Sequence, residues 1–316
     1  MVATIGITII YFPNEVCTMK NYKEYQGKVV TLMLCSACNI NCKHCYISFA
    51  GNRTIEELDE MIPILLDKGY RVDLNGAEVL TNPNYLKFYK MASNKEIMTN
   101  GISLFKNPMF VSQIIENNIT TVGISYHFEL HDIVSEVPEE IVLKAIQNCI
   151  DGGVNVLINT TISTTNYDKV EEMCERAISI GAKAIRFTNF VKQGNVLENG
   201  IINYALNQEQ IDYFFKELNE MREKYDKDTL YINRSGLFDV DVSNNKSNFV
   251  CTAGYNDVTI TPNNMVYPCI FLAKEGFEIG VYEDGIVKLY DNFFNDGCHC
   301  CAAKILNKGE NMFFKS

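Results

Sequence analysis

The chain has 316 residues, 47% of them hydrophobic, and a formal net charge of −11. That is enough apolar material for one large domain with a small appendage. The acidic balance argues against a nucleic-acid enzyme, which is more often basic, and no run reaches the roughly 18 apolar residues of a membrane span.

The apolar start, "MVATIGITIIYFPNEV", lacks the basic lead and small-residue cleavage site of a signal peptide, so residues 1–27 are expected to form a strand or hairpin. The protein is therefore expected to be cytoplasmic. Stable disulfides are rare there, so the twelve cysteines point to metal rather than to staples.

From residue 28 onward, apolar β-branched runs alternate with amphipathic helical runs. "KVVTLMLC" (28–35) reads as a buried strand. "TIEELDEMIPILLDKG" (54–69) reads as a helix opened by a Thr54/Glu57 capping box and closed by Gly69. Further strands are expected at 70–76, 95–101, 120–128, 154–162 and 182–190, with helices at 82–92, 107–118, 138–153, 166–181 and 207–225. This order implies a parallel sheet with right-handed crossovers. A partly closed barrel and an open doubly wound sheet both fit six such units, and either binds ligands at the carboxyl ends of its strands. Past about 228, short strands, turns and cysteines take over. The expected division is an extension (1–27), a barrel (28–227) and a small domain (228–316).

The cysteines concentrate the chemistry. Cys35, Cys38, Cys42 and Cys45 lie within eleven residues, directly after the first strand. Cys38-x3-Cys42-x2-Cys45 can hold three irons of a [4Fe–4S] cube and leave the fourth without a protein ligand. The spacing alone also admits a closed zinc knuckle that includes Cys35. Cys251, Cys269, Cys298 and Cys301 form a second set of four, open to the same iron or zinc alternative. Cys300 could replace Cys298 or Cys301.

The stretch "CNINCKHCY" resembles the signature of the radical S-adenosylmethionine (SAM) superfamily. Matching elements follow in the expected order. "NGAE" (75–78) stands where relatives have Gly-Gly-Glu, "TNG" ends strand three, "ISYHF" replaces a Ser-x-Asp run, and "INTTI" lies on strand five. The resemblance covers about residues 28–195. It implies a partial (β/α)6 TIM-like barrel, a catalytic [4Fe–4S] cluster on Cys38, Cys42 and Cys45, and SAM contacts from His44, Gly76, Glu78, Asn100, Ser125 and Asn159. The second cysteine set, after the turn Pro262-Asn263-Asn264, resembles a twitch domain, the shorter relative of SPASM. That resemblance implies one auxiliary [4Fe–4S] cluster on Cys251, Cys269, Cys298 and Cys301.

Of the remaining cysteines, Cys149 and Cys174 read as small core residues. Cys35 is a candidate hydrogen-atom donor or a residue packed beneath the cluster. His127 and His131 are candidate bases or hydrogen-bonded strand-end residues.

The resemblance further implies reductive cleavage of SAM to a 5′-deoxyadenosyl radical that takes a hydrogen atom from substrate. The electron would come from a donor such as flavodoxin or ferredoxin. The first reading is a maturase that crosslinks or epimerises a ribosomally made peptide. The second is a dehydrogenase of aminated sugars or similar metabolites. Some 27 residues before the first barrel strand are too few for the winged-helix module of many peptide maturases. A non-catalytic zinc-binding interaction protein is the reading from another class.

Overall fold

The computed structural model describes residues 22–235 and 251–291. Among these described residues, twelve strands form two sheets. They are β1 (Tyr22–Glu24), β2 (Val29–Met33), β3 (Arg71–Asn75), β4 (Glu96–Thr99), β5 (Thr121–Ser125), β6 (Asn155–Ile162), β7 (Ala184–Asn189), β8 (Tyr231–Arg234), β9 (Asp257–Ile260), β10 (Met265–Tyr267), β11 (Gly280–Glu283) and β12 (Ile286–Tyr290). The helices are α1 (Ile55–Asp67), α2 (Ile102–Lys106), α3 (Met109–Glu116), α4 (His131–Val134), α5 (Glu139–Asp151), α6 (Val170–Ser179), α7 (Asn195–Glu198) and α8 (Gln208–Lys224).

β2 pairs with β3, and β4 to β8 pair in sequence, all parallel. This is the partial barrel. Its strands are filled on the helix side by residues such as Val30, Leu32, Val72, Ile97, Val122, Ile158 and Ile185, all buried. α1 begins with the capping box anticipated from its sequence: Thr54 Oγ1 accepts from Glu57 N, and the Glu57 carboxylate accepts from Thr54 N. It packs Leu58, Ile62 and Leu65 into the core. The segment expected as a helix over 82–92 is a 3₁₀ helix, Pro83–Lys90.

β3 and β4 belong to different sheets. Side chains close that gap. Asn94 accepts from Leu74 N at 2.9 Å and donates to Leu74 O at 2.8 Å, so its amide takes the place of a ladder partner.

Two features depart from the expected plan. β8 lies beyond residue 227 yet pairs in parallel with β7, adding a seventh strand to the barrel. The C-terminal strands are not a detached sheet: β9 pairs in parallel with β2, and β10, β11 and β12 continue the same sheet antiparallel, ending on β1. Asn264 turns the β9–β10 hairpin at φ +63°, the left-handed geometry that asparagine tolerates. Among the described residues, no helix is long and apolar enough to cross a membrane.

Candidate active site

A cavity of about 280 Å³ opens at the carboxyl ends of the barrel strands. Strand register explains its walls. Ser125, Asn159 and Arg186 stand side by side across β5, β6 and β7. Two residues further along, on the same face, come His127, Thr161 and Thr188. All six line the cavity. Below them the aligned row is Met98, Gly123, Leu157 and Ala184, an apolar floor. Two polar layers therefore stand over an apolar one. Arg186 is fixed in the lower layer by a bidentate pair with Glu96, at 2.7 and 2.9 Å.

The opposite wall is the cysteine loop. Cys38, Cys42 and Cys45 line the cavity, with His44 and Tyr46. Burial raises all three thiols, that of Cys42 to about 11, and nearby thiols add to the shift at Cys38 and Cys42. The three are therefore neighbours held as neutral thiols. Among the described residues, no three His, Cys, Asp or Glu side chains are close enough to share one metal ion. A multi-iron cluster takes one thiolate per iron and suits the wider spacing.

Cys35 is set apart from this group. It is 1% exposed, does not line the cavity, and directs its thiol to Glu78 O at 3.7 Å and Ala37 O at 3.9 Å. It sits behind Gly76, where an added Cβ would meet its sulfur at 3.0 Å. The geometry therefore favours neither a four-cysteine knuckle nor a hydrogen-atom donor facing substrate, and gives Cys35 a packing position beneath the loop.

Gly76, Glu78 and Asn100 line the cavity from β3 and β4. The Glu78 carboxylate accepts from Thr99 Oγ1 at 2.8 Å, Asn100 N at 2.8 Å and Leu80 N at 3.3 Å. Burial nonetheless raises its pKa to about 7. Asn100 Nδ2 donates to Asn39 Oδ1 at 2.7 Å and approaches Cys38 Sγ at 3.8 Å.

His127 is 2% exposed, and its ring meets His44 edge-on at 4.6 Å. Its Nδ1 accepts from Thr161 N at 3.1 Å, so the neutral ring carries its proton on Nε2. Burial, with His44 and His131 close by, holds its pKa well below the ordinary value. The sequence reading offered His127 as a base, but its one basic nitrogen is already occupied and it presents a donor. His131 is bound likewise, accepting from His127 N at Nδ1 and donating from Nε2 to Val137 O at 2.8 Å.

Of the second cysteine set, Cys251 and Cys269 are neighbours: after burial, Cys251 is the main influence raising the Cys269 thiol to about 12. Cys298, Cys300 and Cys301 lie outside the described residues. Tyr46 joins the two sets. It follows Cys45, packs its ring at a tilt against that of Phe271 with centroids 4.9 Å apart, and is influenced by both Cys45 and Cys269. Sequence reasoning missed Tyr46 and Arg186. The alternation of polar residues in "IRFTN" was the available signal for Arg186.

No family model matches the chain. It is 25% identical over 288 residues to the antilisterial bacteriocin subtilosin biosynthesis protein AlbA of Bacillus subtilis, covering 84% of this chain and 59% of AlbA. It is 25% identical over 206 residues to the AdoMet-dependent heme synthase of Methanosarcina barkeri, covering 60% of this chain and 58% of that protein. The chain thus spans less than two thirds of the length of these curated relatives. Its fold matches Streptococcus suis SuiB bound to precursor peptide SuiA, with a TM-score of 0.63 at 16% identity over 81% of this chain and 62% of SuiB. SuiB has also been solved bound to S-adenosylmethionine. The chain is thus similar in sequence to AlbA and to the AdoMet-dependent heme synthase, and in fold to SuiB. In this fold, the cysteine loop, Gly76, Glu78, Asn100, Ser125, His127 and Asn159 all converge on one cavity.

Proposed function

We propose that the chain is a radical SAM enzyme that modifies a ribosomally synthesised peptide. The observation that carries this reading is one cavity with three thiols on one wall and two hydrogen-bonding layers on the other. Cys38, Cys42 and Cys45 would hold a [4Fe–4S] cluster. Such a cluster, with SAM bound, supplies a low-potential electron and yields a 5′-deoxyadenosyl radical able to take hydrogen from unactivated carbon.

The chain's own residues supply orientation and exclusion of water. Glu78 keeps acceptor capacity toward the cavity for the ammonium of SAM, beside Gly76. Ser125 and Asn159 present hydrogen-bonding groups suited to the ribose and carboxylate. The Nε2–H of His127 is a donor on the same wall. Cys251 and Cys269, with Cys298 and Cys301, would hold one auxiliary cluster in a domain from about 228 onward, with β8 given to the barrel. The reading also takes in a cytoplasmic location and an electron donor such as flavodoxin or ferredoxin.

The bacteriocin biosynthesis role in the name of AlbA and the precursor peptide bound to SuiB support a peptide substrate. The heme synthase relative favours a second reading, oxidation of a small metabolite. Anaerobic incubation with SAM, dithionite and short peptides encoded beside the gene separates them by mass spectrometry. Loss of two hydrogens marks crosslinking or oxidation, and solvent deuterium gained at constant backbone composition marks epimerisation. Modification of small amine or sugar substrates, with peptides untouched, would replace the first reading with the second.

A further inference from the structure

The segment just after β7 does not belong to any recognised cysteine or SAM element, yet it grips the cysteine loop along its second half. Asn195 N donates to Cys45 O at 2.9 Å. Asn195 Nδ2 donates to Cys42 O at 2.9 Å and to Asn41 Oδ1 at 2.7 Å. Gln193 Nε2 donates to Tyr46 O at 3.0 Å and to Ser48 Oγ at 2.8 Å. Between them, Gly194 lies at φ +57°, and a Cβ there would stand 2.5 Å from Cys45 O. Only glycine lets the two backbones come this close.

Gln193 is 2% exposed, and its Oε1 has no hydrogen-bond partner among the described residues. Leaving a buried acceptor unpaired is unfavourable. The residue is therefore held for its two donated bonds. The first half of the loop is fixed independently, by Lys43 N to Val134 O at 2.9 Å and Asn41 N to Glu136 Oε2 at 2.8 Å.

We propose that Gln193, Gly194 and Asn195 are positioning residues that hold the Cys42–Cys45 turn in its ligating conformation before any cluster is present. The clamp satisfies three loop carbonyls, those of Cys42, Cys45 and Tyr46, from outside the loop. It thereby lowers the ordering cost that metal binding would otherwise meet. This rests on the cluster assignment made above. Because β7 also carries Arg186 and Thr188, the clamp links the cavity's polar wall directly to its thiol wall.

The test uses the full chain, first without metal. Amide hydrogen exchange is followed at residues 42–48 in wild type, Asn195→Ala, Gly194→Ala and, as a control on the exposed side of α7, Glu198→Ala. The Cys45 amide, bonded to Cys42 O at 3.1 Å, reports opening of the turn. Exchange there should rise roughly tenfold in the two clamp variants, equivalent to the loss of about one net hydrogen bond. The control and the core strands should be unchanged. On anaerobic reconstitution, the clamp variants should need several times more iron for half-maximal uptake. Wild-type exchange at 42–48 overturns the proposal, as does faster exchange spread evenly over the chain, or altered exchange with wild-type iron uptake. Should Gly194→Ala fail to fold, Asn195→Ala alone decides. Failure of the functional reading shows separately, as a wild-type chain that takes up no iron.

Discussion

Arg53 donates from Nη2 to the Thr261 carbonyl at 2.6 Å and from Nη1 to Asn264 Oδ1 at 3.0 Å. One buried guanidinium thus ties the end of the cysteine loop to the turn of the β9–β10 hairpin, whose second strand leads to Cys269. Burial lowers its pKa to about 10, so it stays charged at neutral pH. Arg53→Met removes both charge-assisted bonds, although the Thr261 carbonyl keeps the Asn264 amide at 2.9 Å, and should destabilise the chain by roughly 1–3 kcal/mol, read as a lower urea midpoint. Arg53→Lys should recover only part, since one ammonium lacks the planar fork. An unchanged midpoint in Arg53→Met would contradict this.

Glu78 predicts a pH dependence of the cluster-free chain. Its folded pKa, about 7, lies above its ordinary 4.5 because burial disfavours the charge. The folded state therefore holds the proton more tightly. The associated stability is fully present below about 4.5 and is lost as pH rises through about 7, by up to roughly 3 kcal/mol. Urea midpoints should fall between pH 5 and 8, and Glu78→Gln should lose that slope whatever its absolute stability. A Glu78→Gln variant with the wild-type slope would show that another group titrates.

The raised thiols predict low reactivity before metal arrives. Cys42, pushed up to about 11, is almost wholly protonated at pH 7. Since the thiolate is the nucleophile, alkylation of Cys42 by iodoacetamide should rise about tenfold per pH unit from 7 to 9. Peptide mapping by mass spectrometry measures this. A rate already at its plateau by pH 8 would refute the assignment.

Asn100 predicts an electronic effect. Its Nδ2 approaches Cys38 Sγ at 3.8 Å, and hydrogen bonds to ligand sulfur help set cluster potential. Asn100→Ala should shift the first cluster to a more negative midpoint in an EPR-monitored redox titration. A shift in the positive direction would contradict the role.

The barrel was largely legible in the sequence. The 2.0 and 3.6 periodicities are carried by residues such as Val30, Leu32, Leu58 and Ile62, which the structure buries. The Thr54/Glu57 capping box is a local motif and survives translation into three dimensions. The parallel pairing of β9 with β2 was not legible. It joins residues more than two hundred positions apart, and nothing in "DVTI" distinguishes a strand of a separate sheet from one that extends the barrel. β8 was hidden for a similar reason: "YINR" is four residues long and alternates weakly.

At the site, the positions of "CNINCKHCY", Glu78 and Asn159 could be anticipated because they follow or lie on successive barrel strands in motif order. The roles of His127 and Cys35 could not, since they depend on a backbone amide of β6 and on the crowding behind Gly76. The Gln193–Asn195 grip leaves no periodic trace, because it is made of loop-to-loop hydrogen bonds.

The central claim is that three thiols of the first loop leave one iron position open to SAM. The direct measurement is 5′-deoxyadenosine released by anaerobically reconstituted chain given SAM and dithionite, with iron and sulfide assayed on the same sample. The account predicts product from wild type, none above background from Cys42→Ala, and near-wild-type release from Cys35→Ala. Equal product from Cys42→Ala, or a wild-type protein that binds zinc in place of iron and sulfide, would contradict it.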